Sequence, residues 1–526
     1  MSLLHRRVCT YIHVHLRWRL STCATELTMD FSHLCAACLI LAVSSVYLLR
    51  LFTGAHRNLP PGPRPLPLVG NLFELSALPH RSFARLAARH GPLMTLRLGA
   101  ITTVVASTAG AARDVLQRHD AVFAAHSVPD AARACENDLR SMGWLPPSSP
   151  LWRALRKVCA VELFAPRRLD AQQALRRDKV QQLVSRVARL AREGAPVDVG
   201  QVVLTTILNL LSSAIFSVDL AGHDDHGASG EFKEVITEFT VAAASPNVSD
   251  FFPVVAPLDL QRLRRRLEKV FKRMYAIFDE QIERRMQERD AGEPPKNDFL
   301  DVLLDYRGAE DGSGFDRQTL RTLLTDLISA GSDSSTATVE WAMAELLQNP
   351  SPMAKAREEI TQVIGSKPDI TESDISQLKY LNAIVKETFR LHPPAPFLLP
   401  HLAETTTEIG GYTAPKGTRI LVNVWAIGHD MDLWSEPEKF MPERFLGKEM
   451  DFRGRNFELL PFGSGRRICP GMPMADRTVH LILASLIHGF EWKLPADIDR
   501  NGVDMSERFG FVLSLATPLR AIAKPI

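Results

Sequence analysis

Ten residues towards the C-terminal end, Phe462–Gly471, read FGSGRRICPG. Phe462, Gly465, Arg467, Cys469 and Gly471 among them have the spacing F-x-x-G-x-R-x-C-x-G. On average residue usage, five fixed residues coincide at a given site about once in a million times. Glycines on both sides of a cysteine permit a tight loop whose backbone N–H groups turn towards the sulfur. An apolar period of three and four then runs from Met472 to Ile487, and the N-terminal end of such a helix stabilises an anion. These residue types suit a cysteine held as a thiolate, the form in which sulfur binds metals. The bland alternative is a structural cysteine buried in a glycine turn.

A second constellation lies in Ala330–Ser335, AGSDSS. It interrupts a long apolar helical pattern, Leu320 to Leu347, with a glycine, hydroxyl residues and an acid. Those residues lower helix propensity, and such a local conflict points to a functional kink. Asp333 is flanked by apolar turns, so a solvated helix-face acid is the weaker reading. Three further patterns are weak singly. Glu387 and Arg390 form E-x-x-R and share a helix face, as generic surface pairs also do. Pro442–Phe445 reads PERF, and Trp152–Arg156 reads WRALR.

Together these motifs resemble the cytochrome P450 family. The resemblance covers Leu59 to the C-terminus. It implies a mostly α fold with small β sheets, one large helical domain, and haem b (iron protoporphyrin IX) as cofactor. Cys469 is then the axial ligand of the haem iron, where a thiolate pushes electron density that favours O–O cleavage. Covalent haem attachment of the c type has no support, because C-x-x-C-H is absent. Trp152, Arg156, Phe462, Gly465, Arg467 and Gly471 become cofactor-binding residues, with Trp152, Arg156 and Arg467 directed at the haem propionates. Glu387, Arg390 and Arg444 become a buried structural charge network. Asp333 and Ser334 become the catalytic pair that relays the protons oxygen activation consumes. Serine stands where the family usually has threonine. It keeps the hydroxyl but lacks the methyl that restrains χ1, which loosens the expected coupling of oxygen use to product. Departures at His429, Met431 and Leu402 touch local packing only.

Within the family, LPPGPRPLPLVGNL (Leu59–Leu72), NVSDFFPVVAPLDLQ (Asn247–Gln261), LHPPAPFLLPH (Leu391–His401) and NVWAIGHD (Asn423–Asp430) are similar to plant microsomal enzymes of the geraniol 8-hydroxylase and cereal diterpenoid hydroxylase group. That implies an O2-dependent monooxygenase hydroxylating a small lipophilic metabolite, a terpenoid (monoterpenol or diterpene) first. Electrons come from NADPH through NADPH–cytochrome P450 reductase. The implied pocket draws on 121–150, 216–257, 327–334, 395–399 and 511–513. Of these, PAPFLLP and GFVLSL carry no charge, as an apolar cavity requires. An oxygen-independent haem-thiolate isomerase or dehydratase would not need Asp333–Ser334. A non-catalytic haem protein would leave the interrupted helix and the uncharged loops unexplained.

The rest of the chain must position these groups. With 526 residues, 45% of them hydrophobic, it can bury a large core. The net charge of +2, from 62 basic and 60 acidic residues, shows no basic excess of the kind nucleic-acid binding uses. The run Arg262–Arg266 reads as a solvated helix face. Seven widely spaced cysteines predict a reducing compartment. Cys35 and Cys38 sit in an apolar run with no partner pair for a metal. Phe31–Leu49 holds no charged residue and is just long enough to span a bilayer. The expected organisation is an atypical extension at 1–28, a transmembrane anchor at 29–52, a stiff proline-rich linker at 53–72 and a haem-thiolate catalytic domain at 73–526. Arg50, His56, Arg57 and Arg64 follow the anchor, so positive charge places the catalytic domain in the cytosol, single-pass, at the endoplasmic reticulum membrane. Arg6, Arg7, Arg17 and Arg19 in the extension oppose that bias. The native chain is therefore expected to start at Met29 or to lose the extension as a targeting peptide. A hairpin is expected at Leu93–Ser107 with its turn at Gly99-Ala100. Helices are expected at Asp178–Arg192, Leu258–Arg289 and Thr319–Gln348, and short strands at Glu408–Ile420 and Phe509–Ala516.

Overall fold

The computed structural model describes residues 58–526, apart from 223–227, 309–311, 366, 368 and 497–501, together with His33, Leu34, Cys38 and Ser45. The chain divides into two compact units, Met1–Asn58 and Leu59–Ile526. The expected extension and most of the expected anchor lie outside the described residues. His33, Leu34, Cys38 and Ser45, the described part of the anchor, are helical.

The larger unit is mostly helical. Its longer helices are α1 (Pro79–His90), α2 (Pro150–Val158), α3 (Gln173–Arg192), α4 (Val199–Phe216), α5 (Ala228–Ala244), α6 (Leu263–Asp290), α7 (Arg317–Gln348), α8 (Pro350–Ile364), α9 (Lys379–Leu391) and α10 (Met472–Gly489). Among the described residues α4 alone is long and apolar enough to cross a membrane. It is apolar all round because it is enclosed: it packs against α3 and α7, and Val203, Ile207, Leu208 and Ile215 are buried. α7 crosses the same core between α4 and α10. Its N-terminus is capped by Asp316, whose carboxylate accepts from the Thr319 N–H at 2.6 Å.

The hairpin forms as expected, with β1 (Leu93–Leu98) antiparallel to β2 (Ile101–Ala106). Gly99 takes φ +62°, the left-handed turn conformation. The sheet also includes β3 (Ala125–His126), β4 (His401–Leu402) and β5 (Arg419–Val422), in the order β1-β2-β5-β4-β3. β2 and β5 are parallel, and β4 is antiparallel to both β5 and β3. Two expectations change. The helix expected from Leu258 starts at Leu263: Pro257 sits in a 3-10 turn, and Asp259 (φ +44°) and Arg262 (φ +56°) are left-handed, which breaks the helix. The proline-rich segment is docked on the larger unit rather than spanning a gap. Thr95 N–H donates to Pro61 at 2.9 Å, Asn71 N–H donates to Arg97 at 2.6 Å, and a Cβ on Gly62 would lie 1.9 Å from the Thr95 carbonyl. Proline lacks an N–H but keeps its carbonyl, so this segment can accept from the exposed edge of β1.

Candidate functional site

Cys469 lies in the loop that enters α10. Its N–H donates to the Phe462 carbonyl at 3.0 Å, closing the loop. Gly463 and Gly465 both take φ +70°, and a Cβ on Gly465 would meet the Leu116 carbonyl at 2.1 Å. Only glycine fits there. Gly471 differs: it caps α10 with φ −79°, and a Cβ there would sit 3.9 Å from the Cys469 sulfur, in ordinary contact. Burial pushes the Cys469 thiol up. The Gly471 N–H, the nearby Arg156 and the Met472 N–H pull it back down. Phe462 packs edge-on against Phe389 of α9 at 5.2 Å and tilted against Phe452 at 5.5 Å.

Arg467 turns away from solvent. Its Nε donates to the Ala124 carbonyl at 2.6 Å and a terminal nitrogen to that of Met142 at 3.1 Å, with a further bond to Leu145. The guanidinium lies 4.7 Å over the Trp152 ring. Trp152 in turn donates Nε1–H to Met142 at 3.1 Å. Arg156, one turn along α2, donates to the Ile468 carbonyl. Burial and the neighbouring Arg156 push Arg467 down to about 10, and Glu404 offsets part of this.

Two histidines not anticipated from the sequence join this cluster. The β3–β4 register sets His126 opposite His401, with ring centroids 4.9 Å apart. Each donates Nδ1–H at 2.7 Å to a carbonyl, His126 to Gly143 and His401 to Phe123. Burial holds both imidazoles neutral, His401 at about 4, and Arg467 lowers each further. The result is a buried basic cluster whose donors meet backbone carbonyls.

Within α7, no residue of Ala330–Ser335 leaves the helix. The helix is continuous through the expected kink, because tertiary packing overrides the weak propensity. Instead the Ser334 hydroxyl donates to the Ala330 carbonyl at 2.7 Å. Burial pushes the Asp333 carboxyl up to about 6, against the pull of Thr240 on α5 and of Arg508. Phe239 of α5 meets Phe511 at 5.7 Å, and Leu513 N–H donates to Pro394 at 2.8 Å. Parts of segments 216–257 and 511–513 thus lie close to the acid-bearing part of α7.

The E-x-x-R pair is buried. Arg390 holds Glu387 through two bonds of 2.8 Å, and Arg444 Nε reaches the same carboxylate at 3.0 Å. The remaining guanidinium donors meet the carbonyls of Gly428, Ser435, Glu436, Pro437 and Lys439. α9 passes so close to Gly428 that a Cβ there would lie 2.2 Å from the Arg390 carbonyl. His429, one of the departures, stacks on Trp425 at 3.8 Å, and burial holds it neutral at about 3.

This mostly helical fold, with a cysteine loop at the mouth of a buried helix, is that of the haem-thiolate oxygenases. The family model for cytochrome P450 matches residues 60–517, and the chain belongs to that family. It is 46% identical to cytochrome P450 76T24 of Catharanthus roseus, over 91% of this chain and 96% of that one. Geraniol 8-hydroxylase of the same plant is also 46% identical, over 89% and 94%. Ferruginol synthase of Salvia miltiorrhiza is 42% identical, over 94% and 99%. The protein is a cytochrome P450 monooxygenase that uses haem b, O2 and NADPH-derived electrons delivered by a reductase, and its substrate is lipophilic. The residues present fit haem: Cys469 offers sulfur beside two N–H groups, and Arg156 and Arg467 bring two guanidinium groups to the cluster, suited to the two carboxylates of a porphyrin.

Proposed function

We propose that the protein hydroxylates a small plant terpenoid, a monoterpenol or a diterpene. One observation carries this: Thr240 of α5 and Arg508 lie towards Asp333, and the neighbouring Phe239 and Phe511 rings meet at 5.7 Å, so apolar side chains flank the proton-bearing pair. The printed activities of the relatives, geraniol 8-hydroxylation and ferruginol synthesis, support the substrate class. The test pairs the protein with reductase, NADPH and candidate terpenols or diterpenes. NADPH- and O2-dependent hydroxylated product is expected. Turnover that ignored O2 would contradict the reading.

Haem, when bound, supplies the iron at which dioxygen is activated. In the proposed site the Cys469 sulfur would bind its iron. Trp152, Arg156 and Arg467 would hold its carboxylates, with His126 and His401 beside them. Gly465 and Gly471 shape the loop, and Phe462 ties it to α9. Glu387, Arg390 and Arg444 fix the loop's support.

Asp333 and Ser334 carry protons from solvent to the site. A carboxyl near 6 gives and takes protons readily around neutrality. Asp333→Asn is expected to lower kcat about 10- to 100-fold with haem content unchanged. An acidic limb near pH 6 should appear in the parent and vanish in this variant. Ser334→Ala is expected to raise peroxide release per product. Normal, tightly coupled turnover in both variants would place the relay elsewhere.

NADPH–cytochrome P450 reductase is the proposed partner. Lys157, Arg453, Arg455 and Arg466 are exposed and suit an acidic partner, whereas Arg156 is turned inward to Ile468. Raising ionic strength from about 0.01 to 0.15 M shortens the Debye length from about 30 to 8 Å. Reductase-driven turnover should fall several-fold, with peroxide-driven turnover flat. Equal responses would remove support for this surface.

The proposed setting is the endoplasmic reticulum membrane, single-pass through 29–52, with the catalytic domain cytosolic. The uncharged run Phe31–Leu49 supports it. So do the exposed Val254, Leu258 and Leu260 on one side of the Gly99-Ala100 turn and Leu66, Leu68 and Phe73 on the other.

A further inference from the structure

Asp326 sits two turns before Asp333 on α7. Its carboxylate accepts the Ser141 hydroxyl at 2.9 and 3.0 Å and the Met142 N–H at 2.8 Å, with the Gly143 N–H a further donor. Ser141 is fully buried. The donors are neutral, and burial pushes the carboxyl up to about 7. A buried carboxylate without a cation is costly, so its occurrence calls for a reason.

The segment it holds supplies several of the acceptors for this cluster. Within five residues, the Met142 carbonyl accepts both Trp152 Nε1 at 3.1 Å and Arg467 at 3.1 Å, the Gly143 carbonyl accepts His126 at 2.7 Å, and the Leu145 carbonyl accepts Arg467. Ser141 closes the turn, its carbonyl accepting from Leu145 N–H at 2.9 Å and its hydroxyl from Gly143 N–H at 3.1 Å. Trp152 comes from α2, Arg467 from the cysteine loop and His126 from β3. Their common reference point is a turn hung from α7.

We propose that Asp326 is a positioning residue for the carboxylate end of the haem site, orienting Trp152, Arg467 and His126 through the Ser141–Leu145 turn. The inference rests on the proposed role of those residues towards haem. It ties the helix bearing the proton pair to the groups that grip the cofactor, and it gives Asp326 no contact with either haem or substrate.

Haem transfer from the ferric holoprotein to excess apomyoglobin tests this, with thermal midpoints recorded alongside. Asp326→Asn keeps the shape but sets an NH2 against N–H and O–H donors. It and Trp152→Phe are each expected to speed haem transfer about tenfold. Because they act through one turn, the double variant should also lie near tenfold instead of about a hundredfold. A carboxylate that only stabilised the fold would lower the midpoint and leave the transfer effects multiplicative. That outcome, or transfer from Asp326→Asn within about twofold of the parent, overturns the proposal. If Asp326→Asn fails to accumulate as holoprotein, Ser141→Ala removes a donor from the same carboxylate and is judged the same way. Silent Trp152→Phe and Arg467→Lys variants would sink the haem-end assignment and this inference with it. Fast release from those two with slow release from Asp326→Asn would sink the inference alone.

Discussion

Cys469→Ser is expected to abolish the thiolate-type CO difference band and to take NADPH-dependent product below detection. Serine fits the loop, since the bond from residue 469 N–H to Phe462 and the left-handed Gly463 and Gly465 do not involve the side chain. The fold should therefore survive and the ligand should not. A serine hydroxyl stays protonated where a thiol beside the Gly471 and Met472 N–H groups and Arg156 ionises on metal binding. The control is Cys159, also buried and near Arg156. Burial pushes it up to about 12, and it lies in the helical stretch that continues α2 rather than at a helix mouth. Cys159→Ser should keep the CO band. A thiolate-type band in Cys469→Ser, or its loss in Cys159→Ser alone, would move the ligand away from residue 469.

The cysteine loop is legible because its sulfur and its tight turns lie within Phe462–Gly471, where local backbone demands are written as glycines. Long helices were legible from their period, since α3, α6 and α7 each bury one face or more. What the sequence leaves open depends on distant packing. The proline-rich segment reads as a linker because its prolines resist helix and strand, and a carbonyl-rich strip also suits the edge of β1. α7 runs unbroken through Ala330–Ser335 because its packing against α4 and α10 outweighs the weak local propensity. His126 and His401 carry no local signal. Each is a single histidine in a two-residue strand, and only the pairing of β3 with β4 makes them neighbours. Asp326 did carry a signal: an acid within LLTDLIS, an otherwise uncharged stretch of a buried helix. Such a residue needs donors from elsewhere in the fold, and the sequence does not say which.

Glu387→Ala is expected to prevent accumulation of folded holoprotein, or to lower its unfolding free energy by about 3–5 kcal/mol. Total stability of a domain is only about 5–15 kcal/mol. Glu387 is fully buried and is an anion shared by Arg390 and Arg444. Its Oε1 also accepts from the Met441 N–H at 2.8 Å, which fixes the start of the Pro442–Phe445 turn. Without it two buried guanidinium groups face each other with carbonyls as their remaining partners. The damage should then spread along α9, where Phe389 packs on Phe462 and hence on the cysteine loop. The effect on haem retention is thus expected to follow from unfolding and not from lost chemistry. Glu387→Asp, which keeps the charge but shortens the reach, should lose less than Glu387→Ala. Denaturant midpoints and holoprotein yield measure both. A Glu387→Ala protein that is fully loaded, with a midpoint equal to the parent's, would show that the two arginines need no shared anion.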